Sequence, residues 1–215
     1  MDAEGIFVVG ASGHAKVLVD IIERQARWQI AGLIDTYKPA GTEVMGYPVL
    51  GPEDRLPELM ARHGVGRAIV GIGDNRVRRQ LVARIAAIAP ALDYVSAVHP
   101  AAHIARAVEI GRGVAIMAGA TVNSGTRLGD FCFVNTNASV DHDNVIEPFS
   151  CIQPNAATGG NVSLGAGSVL AMGANVVQGV RIGADAIVGA GSTVLDNIPD
   201  RVVAYGTPCR VIRPR

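Results

Sequence analysis

The chain has 215 residues, 49% of them hydrophobic, enough to bury the core of one ordinary domain or of two small ones. Nineteen basic residues balance nineteen acidic ones, which excludes a global field that would gather nucleic acid or an anionic membrane. Three widely spaced cysteines, Cys132, Cys151 and Cys209, stand outside any CxxC pattern, so neither a disulfide framework nor a zinc site is expected, and a reducing, cytoplasmic setting fits them.

The N-terminus, MDAEGIFVVGASGH, is acidic at its start and runs into a glycine loop, unlike a basic-then-apolar signal peptide. No apolar run reaches the length of a membrane span, because glycine and polar residues break the stretch from Ser168 to Val180. From Ile6 to about Val98, short apolar runs alternate with amphipathic stretches, predicting a small α/β domain over residues 1–98 with a short parallel, Rossmann-like sheet. IFVV at 6–9 reads as a strand, and a helix follows from about Ala15, with Val17, Leu18, Ile21 and Ile22 at helical spacing. IAGLI, ending at Ile34, reads as the second strand, 52–64 as a helix and 67–73 as the third strand. Residues 75–88 form a helix with Val77, Leu81, Ile85 and Ile88 on one face, and DYVSAV at 93–98 closes the unit.

The GASGH loop leaves a strand and opens a helix, so its amides and the helix N-terminus suit a phosphate. Asp35 lies 22 residues beyond Gly13, at the end of the next strand, where a carboxylate meets a ribose hydroxyl. A dinucleotide-dependent dehydrogenase begins in the same way. GASGHA lacks the middle glycine of GxGxxG, however, and no dehydrogenase half follows.

After His99 and Pro100 the period becomes six. Every sixth residue from Ile104 to Val194 is aliphatic at fifteen of sixteen positions, the exception being Thr158. Four residues after these positions the side chain is mostly small or aliphatic, as at Ala120, Cys132, Ala138, Ser150, Ala156, Ser168, Ala174 and Ser192, and glycine often follows the aliphatic residue directly. Neither a 3.6-residue nor a 2.0-residue period gives this register. A coil of short flat faces with a turn after each one does, so residues 99–215 are expected to form a parallel β-helix.

The repeat resembles that of the hexapeptide acyltransferases, whose coils wind left-handed. VVGASGHAKVLVD (8–20), LID (33–35), GIGDN (71–75), HPAAHIA (99–105), VNTNASVDHDNVIEPFSCI (134–152) and YGTPCRVI (205–212) extend the resemblance end to end. They point to the bacillosamine-pathway, perosamine and sialic acid acetyltransferases. That resemblance implies acetyl-CoA as co-substrate, no metal, a homotrimer with CoA between adjacent β-helices, and a nucleotide-linked amino sugar as acceptor. The expected reaction is N-acetylation of a 4-amino-4,6-dideoxy sugar on UDP or GDP; sugar O-acetylation and a non-catalytic sugar-nucleotide binding protein are the alternatives.

Acyl transfer needs a base, an oxyanion donor and a groove for the cofactor. His142, on a turn between Val140 and Ile146, is the candidate base, because histidine titrates near neutrality. The resemblance assigns Asp143 to orient it and Asn135 to hold substrate or the adjacent loop. It implies nucleotide-sugar binding through Ser12, Gly13, His14, Asp35, Gly73, Asp74 and Asn75. CoA is expected along the later coils near Gly160, Gly173 and Ala190, with the Gly160 amide at the thioester carbonyl and Arg210 near the CoA phosphates. Cys151 stands where some members carry a second histidine against the cofactor, so that histidine's role is absent here; direct transfer is expected rather than a covalent Cys151 intermediate.

Overall fold

The computed structural model describes residues 4–215, which divide into two compact units, one ending at Pro100 and the other Ala101–Arg215. In the first unit, β1 (Glu4–Val9), α1 (Gly13–Gln25), β2 (Trp28–Ile34), β3 (Glu43–Val44), β4 (Tyr47–Gly51), α2 (Leu56–His63), β5 (Arg67–Val70), α3 (Asn75–Ile88) and β6 (Asp93–Tyr94) follow in order. They build one sheet of order β3-β4-β2-β1-β5-β6, parallel except for the β3–β4 pair. Ile6, Phe7 and Val8 of the central β1 are fully buried, as a parallel strand covered on both faces requires. The chain moves from β1 to one side and then returns to β5 on the other, so the carboxyl ends of β1 and β5 flank a switch point where ligands bind in such sheets.

Several boundaries differ from the sequence reading. The β3–β4 hairpin was not expected: its turn carries Met45 at φ 54° and Gly46 at φ 80°, β3 has only two residues, and Pro48 interrupts the strand signal of β4. A 3-10 turn at Glu53–Arg55 precedes α2, so the helix expected from residue 52 begins at Leu56 with Pro57 in its first turn. Strand β5 ends at Val70 rather than at residue 73, and 93–98 splits into Asp93–Tyr94 and Ala97–Val98. In α3 the inner face runs through Arg78, Leu81 and Ile85, while Val77 is half exposed. Arg78 is drawn inward because its guanidinium donates to the carbonyls of Ile72 and Gly73, at 2.8 and 3.1 Å, and to Asn75 Oδ1 at 2.8 Å. Val17 of α1 also faces outward, and Ala15, Leu18, Val19, Ile21 and Ile22 fill the core instead.

The second unit is a left-handed β-helix of two-residue strands. Each strand pairs in parallel with the strand 18 residues on, as in Ala115↔Phe133↔Cys151↔Val169, so one coil consumes three hexads. The inward hexad positions are buried except Ile104 and Ile110, which belong to the first coil. Every sixth residue from Ala107 to Gly191 occupies the left-handed backbone region at a corner, filled by glycine, asparagine, aspartate, alanine or phenylalanine. The glycines that follow the aliphatic residues serve a different need. A Cβ on Gly165 would lie 2.5 Å from the backbone nitrogen of Ala184, and one on Gly129 would lie 2.7 Å from that of Pro148, so stacked coils touch there. Val202–Tyr205 continues one face, and Arg210–Pro214 turns back antiparallel on it.

Candidate active site

His142 sits at the corner that follows the Ser139–Val140 strand. Adjacent residues in an extended strand point apart, but Asp143 adopts φ 57°, and this left-handed turn brings the two side chains together. His142 Nδ1 lies 2.8 Å from Asp143 Oδ2, with both side chains about half exposed. A carboxylate accepting from Nδ1–H fixes the tautomer and leaves Nε2 with the basic lone pair. The hydrogen bond to Asp143 is the largest influence and holds the imidazole pKa above its ordinary value; desolvation opposes it, and the charges of Asp141 and Asp143 add to it.

The backbone is pinned as well. His142 N donates to Asp141 Oδ1 at 2.8 Å, Asn161 N donates to His142 O at 3.0 Å, and Asp143 N donates to Ser124 O at 3.0 Å. Gly160 lies directly beneath the ring: a Cβ there would sit 2.5 Å from His142 Cε1 and 2.6 Å from Nε2. Gly160 is therefore the floor on which the imidazole rests. Sequence reading chose it for the cofactor and missed this packing, which only the 18-residue stacking of coils reveals.

The other residues expected at the reaction centre are spread over the coil. Asn135, Gly173 and Ala190 occupy the corner before the face that contains Ser139–Val140, whereas His142 and Gly160 occupy the corner after it. Asn135 Nδ2 donates to Cys151 Sγ at 3.3 Å and to Ile152 O at 3.3 Å, so this side chain ties one coil to the next. Cys151 is 4% exposed: its strand neighbour Ile152 points into the coil, and the thiol lies on the other side with Asn135 against it. Arg210 is largely exposed, with Asp196 3.8 Å away. Among the described residues no group of three or more His, Cys, Asp or Glu is arranged to hold a metal ion, and no helix is long and apolar enough to cross a membrane.

In the first unit, the loops at the carboxyl ends of β1, β2 and β5 converge. Ser12 precedes α1 with extended dihedrals, and its hydroxyl makes no capping bond. A Cβ on Gly13 would meet nothing within 4 Å, so open space faces this helix N-terminus. Asp35 is committed to the loops themselves: Oδ2 accepts from Ala11 N at 2.8 Å, and Oδ1 accepts from Tyr37 N and Lys38 N at 2.8 and 2.9 Å. Asp74 caps α3 by accepting from Val77 N at 2.9 Å, Asn75 is buried against Arg78, and Gly73 is exposed with the His14 ring beside it. Burial, and secondarily Arg78, lower the His14 pKa to about 4, so this imidazole is neutral at physiological pH.

Beside these loops lies a cavity of about 240 Å³, lined by Ile34, Ile72, Val77 and Leu81 and by the polar Thr36, Glu53, Gln80 and Arg84. Glu53, 8% exposed, accepts from the Thr36 hydroxyl and the Arg84 guanidinium. Sequence reading passed over this residue as part of a helix. It lies instead on the 3-10 turn, buried against Thr36 and Arg84, an arrangement the sequence did not reveal.

Comparison with known proteins places these features in context. The profile of the PglD N-terminal domain matches residues 5–85. The perosamine N-acetyltransferase PerB of Caulobacter crescentus, solved with CoA and GDP-perosamine, is 38% identical, with a TM-score of 0.89 over 97% of both chains. A histidine-to-alanine mutant of the Caulobacter GDP-perosamine N-acetyltransferase, also with both ligands, gives a TM-score of 0.90 at 37% identity over 97% of this chain and 96% of that one. The acetyltransferase domain of PglB from Neisseria gonorrhoeae FA1090, in complex with acetyl coenzyme A, is 30% identical, with a TM-score of 0.88 over 98% of this chain and 100% of that one. A curated galactoside O-acetyltransferase of Lactococcus lactis is 58% identical over 31 residues; the match spans 15% of that enzyme.

Proposed function

The chain belongs to the PglD-like family of acetyl-CoA-dependent sugar acetyltransferases, and from that premise we propose that it acetylates the 4-amino group of a GDP-linked 4-amino-4,6-dideoxy sugar, with His142 as general base. The observation that carries the reading is the imidazole held by Asp143 on one nitrogen and resting on Gly160, with Nε2 left basic. The amine nitrogen attacks the thioester carbonyl carbon while Nε2 accepts an amine proton. The tetrahedral intermediate then expels the CoA thiolate, which recovers that proton from the imidazolium. Asp143 stabilises the imidazolium in between.

The first unit supplies nucleotide recognition. Ser12 and Gly13 open space for the diphosphate at the N-terminus of α1, and Asp35 holds the surrounding loops in place rather than spending both oxygens on ribose. The cavity beside them suits the base, with Tyr37, 94% exposed, available to cover it. A buried Glu53 carboxylate, each oxygen of which keeps a second lone pair beyond its bond from Thr36 or Arg84, favours guanine, whose N1–H and N2 amino group are two adjacent donors, over uracil, which offers a single N–H between two carbonyls. The relatives solved with GDP-perosamine agree with that preference.

The corners carrying His142 and Gly160, and Gly173 and Ala190, are separated by a face of the prism, so one chain offers two half-sites. A homotrimer, in which the corner of one copy meets the opposite corner of the next, completes a CoA cleft. Arg210 near the cofactor phosphates belongs to this arrangement. The test is His142→Asn: loss of a general base costs about 10²- to 10⁴-fold in turnover, while calorimetric affinities for acetyl-CoA and the nucleotide sugar stay near wild type. Near-normal turnover in the mutant would remove His142 as the base.

A further inference from the structure

One column of the coil interior departs from the apolar pattern beside the reaction centre. At 18-residue steps the inner position of the His142 corner reads Val108, Thr126, Asn144, Val162, Val180 and Ile198. Only Thr126 and Asn144 are polar, and both are fully buried. Thr158, the single polar residue among the inward hexad positions, is buried next to them.

All three are spent on the same turn. Asn144 Nδ2 lies 2.8 Å from Asp141 O, 3.1 Å from His142 O and 2.9 Å from Gly159 O, and three carbonyls around one nitrogen fix it as the donor end of the amide. Thr126 Oγ1 donates to Asp141 O at 2.7 Å and accepts from Asn144 N at 3.2 Å, while Thr158 Oγ1 accepts from Asp141 N at 3.4 Å. Asn144 Oδ1 is buried with no hydrogen-bond partner among the described residues, so an acceptor is left unsatisfied where the valine of the next coils would fit. The amide is retained at that cost for its donors, which close on the carbonyls before and after His142.

We propose that Asn144 is a positioning residue, seconded by Thr126: from inside the coil it clamps the peptide units on either side of His142. The clamp keeps Asp143 in its left-handed turn and the imidazole on both its carboxylate partner and the Gly160 floor. The inference rests on His142 being the base, and its test separates the two claims. Asn144→Val installs the residue that the column carries at 162 and 180, so the coil has a template for it. A misplaced base costs up to about 10²-fold, so turnover should fall about 10- to 100-fold with KM for both substrates little changed.

The His142 ring, followed by NMR across pH, should titrate lower than in wild type as it loses Asp143. Thr126→Val, of nearly the same shape, should move both readouts in the same direction by less, and it stands in should the first variant not fold. Ser168→Ala removes another buried interior pair, Oγ to Gly183 O at 2.6 Å and Ala186 N to Oγ at 2.9 Å, and should leave both readouts at wild type. Folded Asn144→Val and Thr126→Val proteins with wild-type titration and turnover would overturn the clamp. A lowered titration with unchanged turnover would support the clamp and remove His142 as the base.

Discussion

At the scale of single residues, the proposed base depends on one turn dihedral. His142 and Asp143 were both legible as a motif, but their cooperation was not, since neighbours in sequence meet only because Asp143 sits at φ 57°. A pH dependence follows. The imidazole pKa is held above about 6.5, chiefly by the Asp143 hydrogen bond, and the protonated ring cannot accept a proton. Turnover should therefore rise with pH through a pKa above that value and level off on the alkaline side. Asp143→Asn removes the largest cause, so the rising limb should move to lower pH, while the plateau falls by about 10- to 100-fold because the tautomer is no longer held. A pH–rate profile of the variant with the wild-type limb would mean that Asp143 does not act on His142. The loop residues read less well. Asp35, Asp74 and Asn75 were chosen as ligands by position in a motif, yet each holds the backbone or a buried side chain.

At the scale of elements, the β-helix was the most legible part of the chain, because a period of six must be repeated without slippage for coils to stack, and every inward position had to agree. The α/β unit was less so. A polar residue in the core, such as Arg78, reverses a helix-face assignment, and strands of two residues leave no periodicity to read. The two kinds of glycine in the coils differ in what they tolerate. Gly165→Ala drives a methyl group against the backbone of the next coil, a contact at 2.5 Å that no side-chain motion relieves, and should cost about 1–3 kcal/mol with a lowered Tm. Gly173→Asn, at φ 67° with open space before it and Asn155 already in the same corner column, should melt close to wild type. Calorimetric melting of the pair checks the distinction; equal losses would contradict it.

At the scale of the whole molecule, the proposed reaction draws on both units, the first for the nucleotide and the second for the base. Fold and reaction class followed from the repeat together with the GASGH and DHD segments. The proposed nucleotide preference did not, because Glu53, on which it rests, comes from a 3-10 turn and is buried by tertiary packing rather than marked by a motif. The central claim is tested by supplying acetyl-CoA with GDP- and UDP-linked 4-amino-4,6-dideoxy sugars in parallel, following thiol release and locating the new acetyl group in the product by NMR. The account predicts acetylation at the 4-nitrogen, with the GDP sugar the better substrate. An acetyl group on a sugar hydroxyl, or no thiol release with any amino sugar, would contradict it.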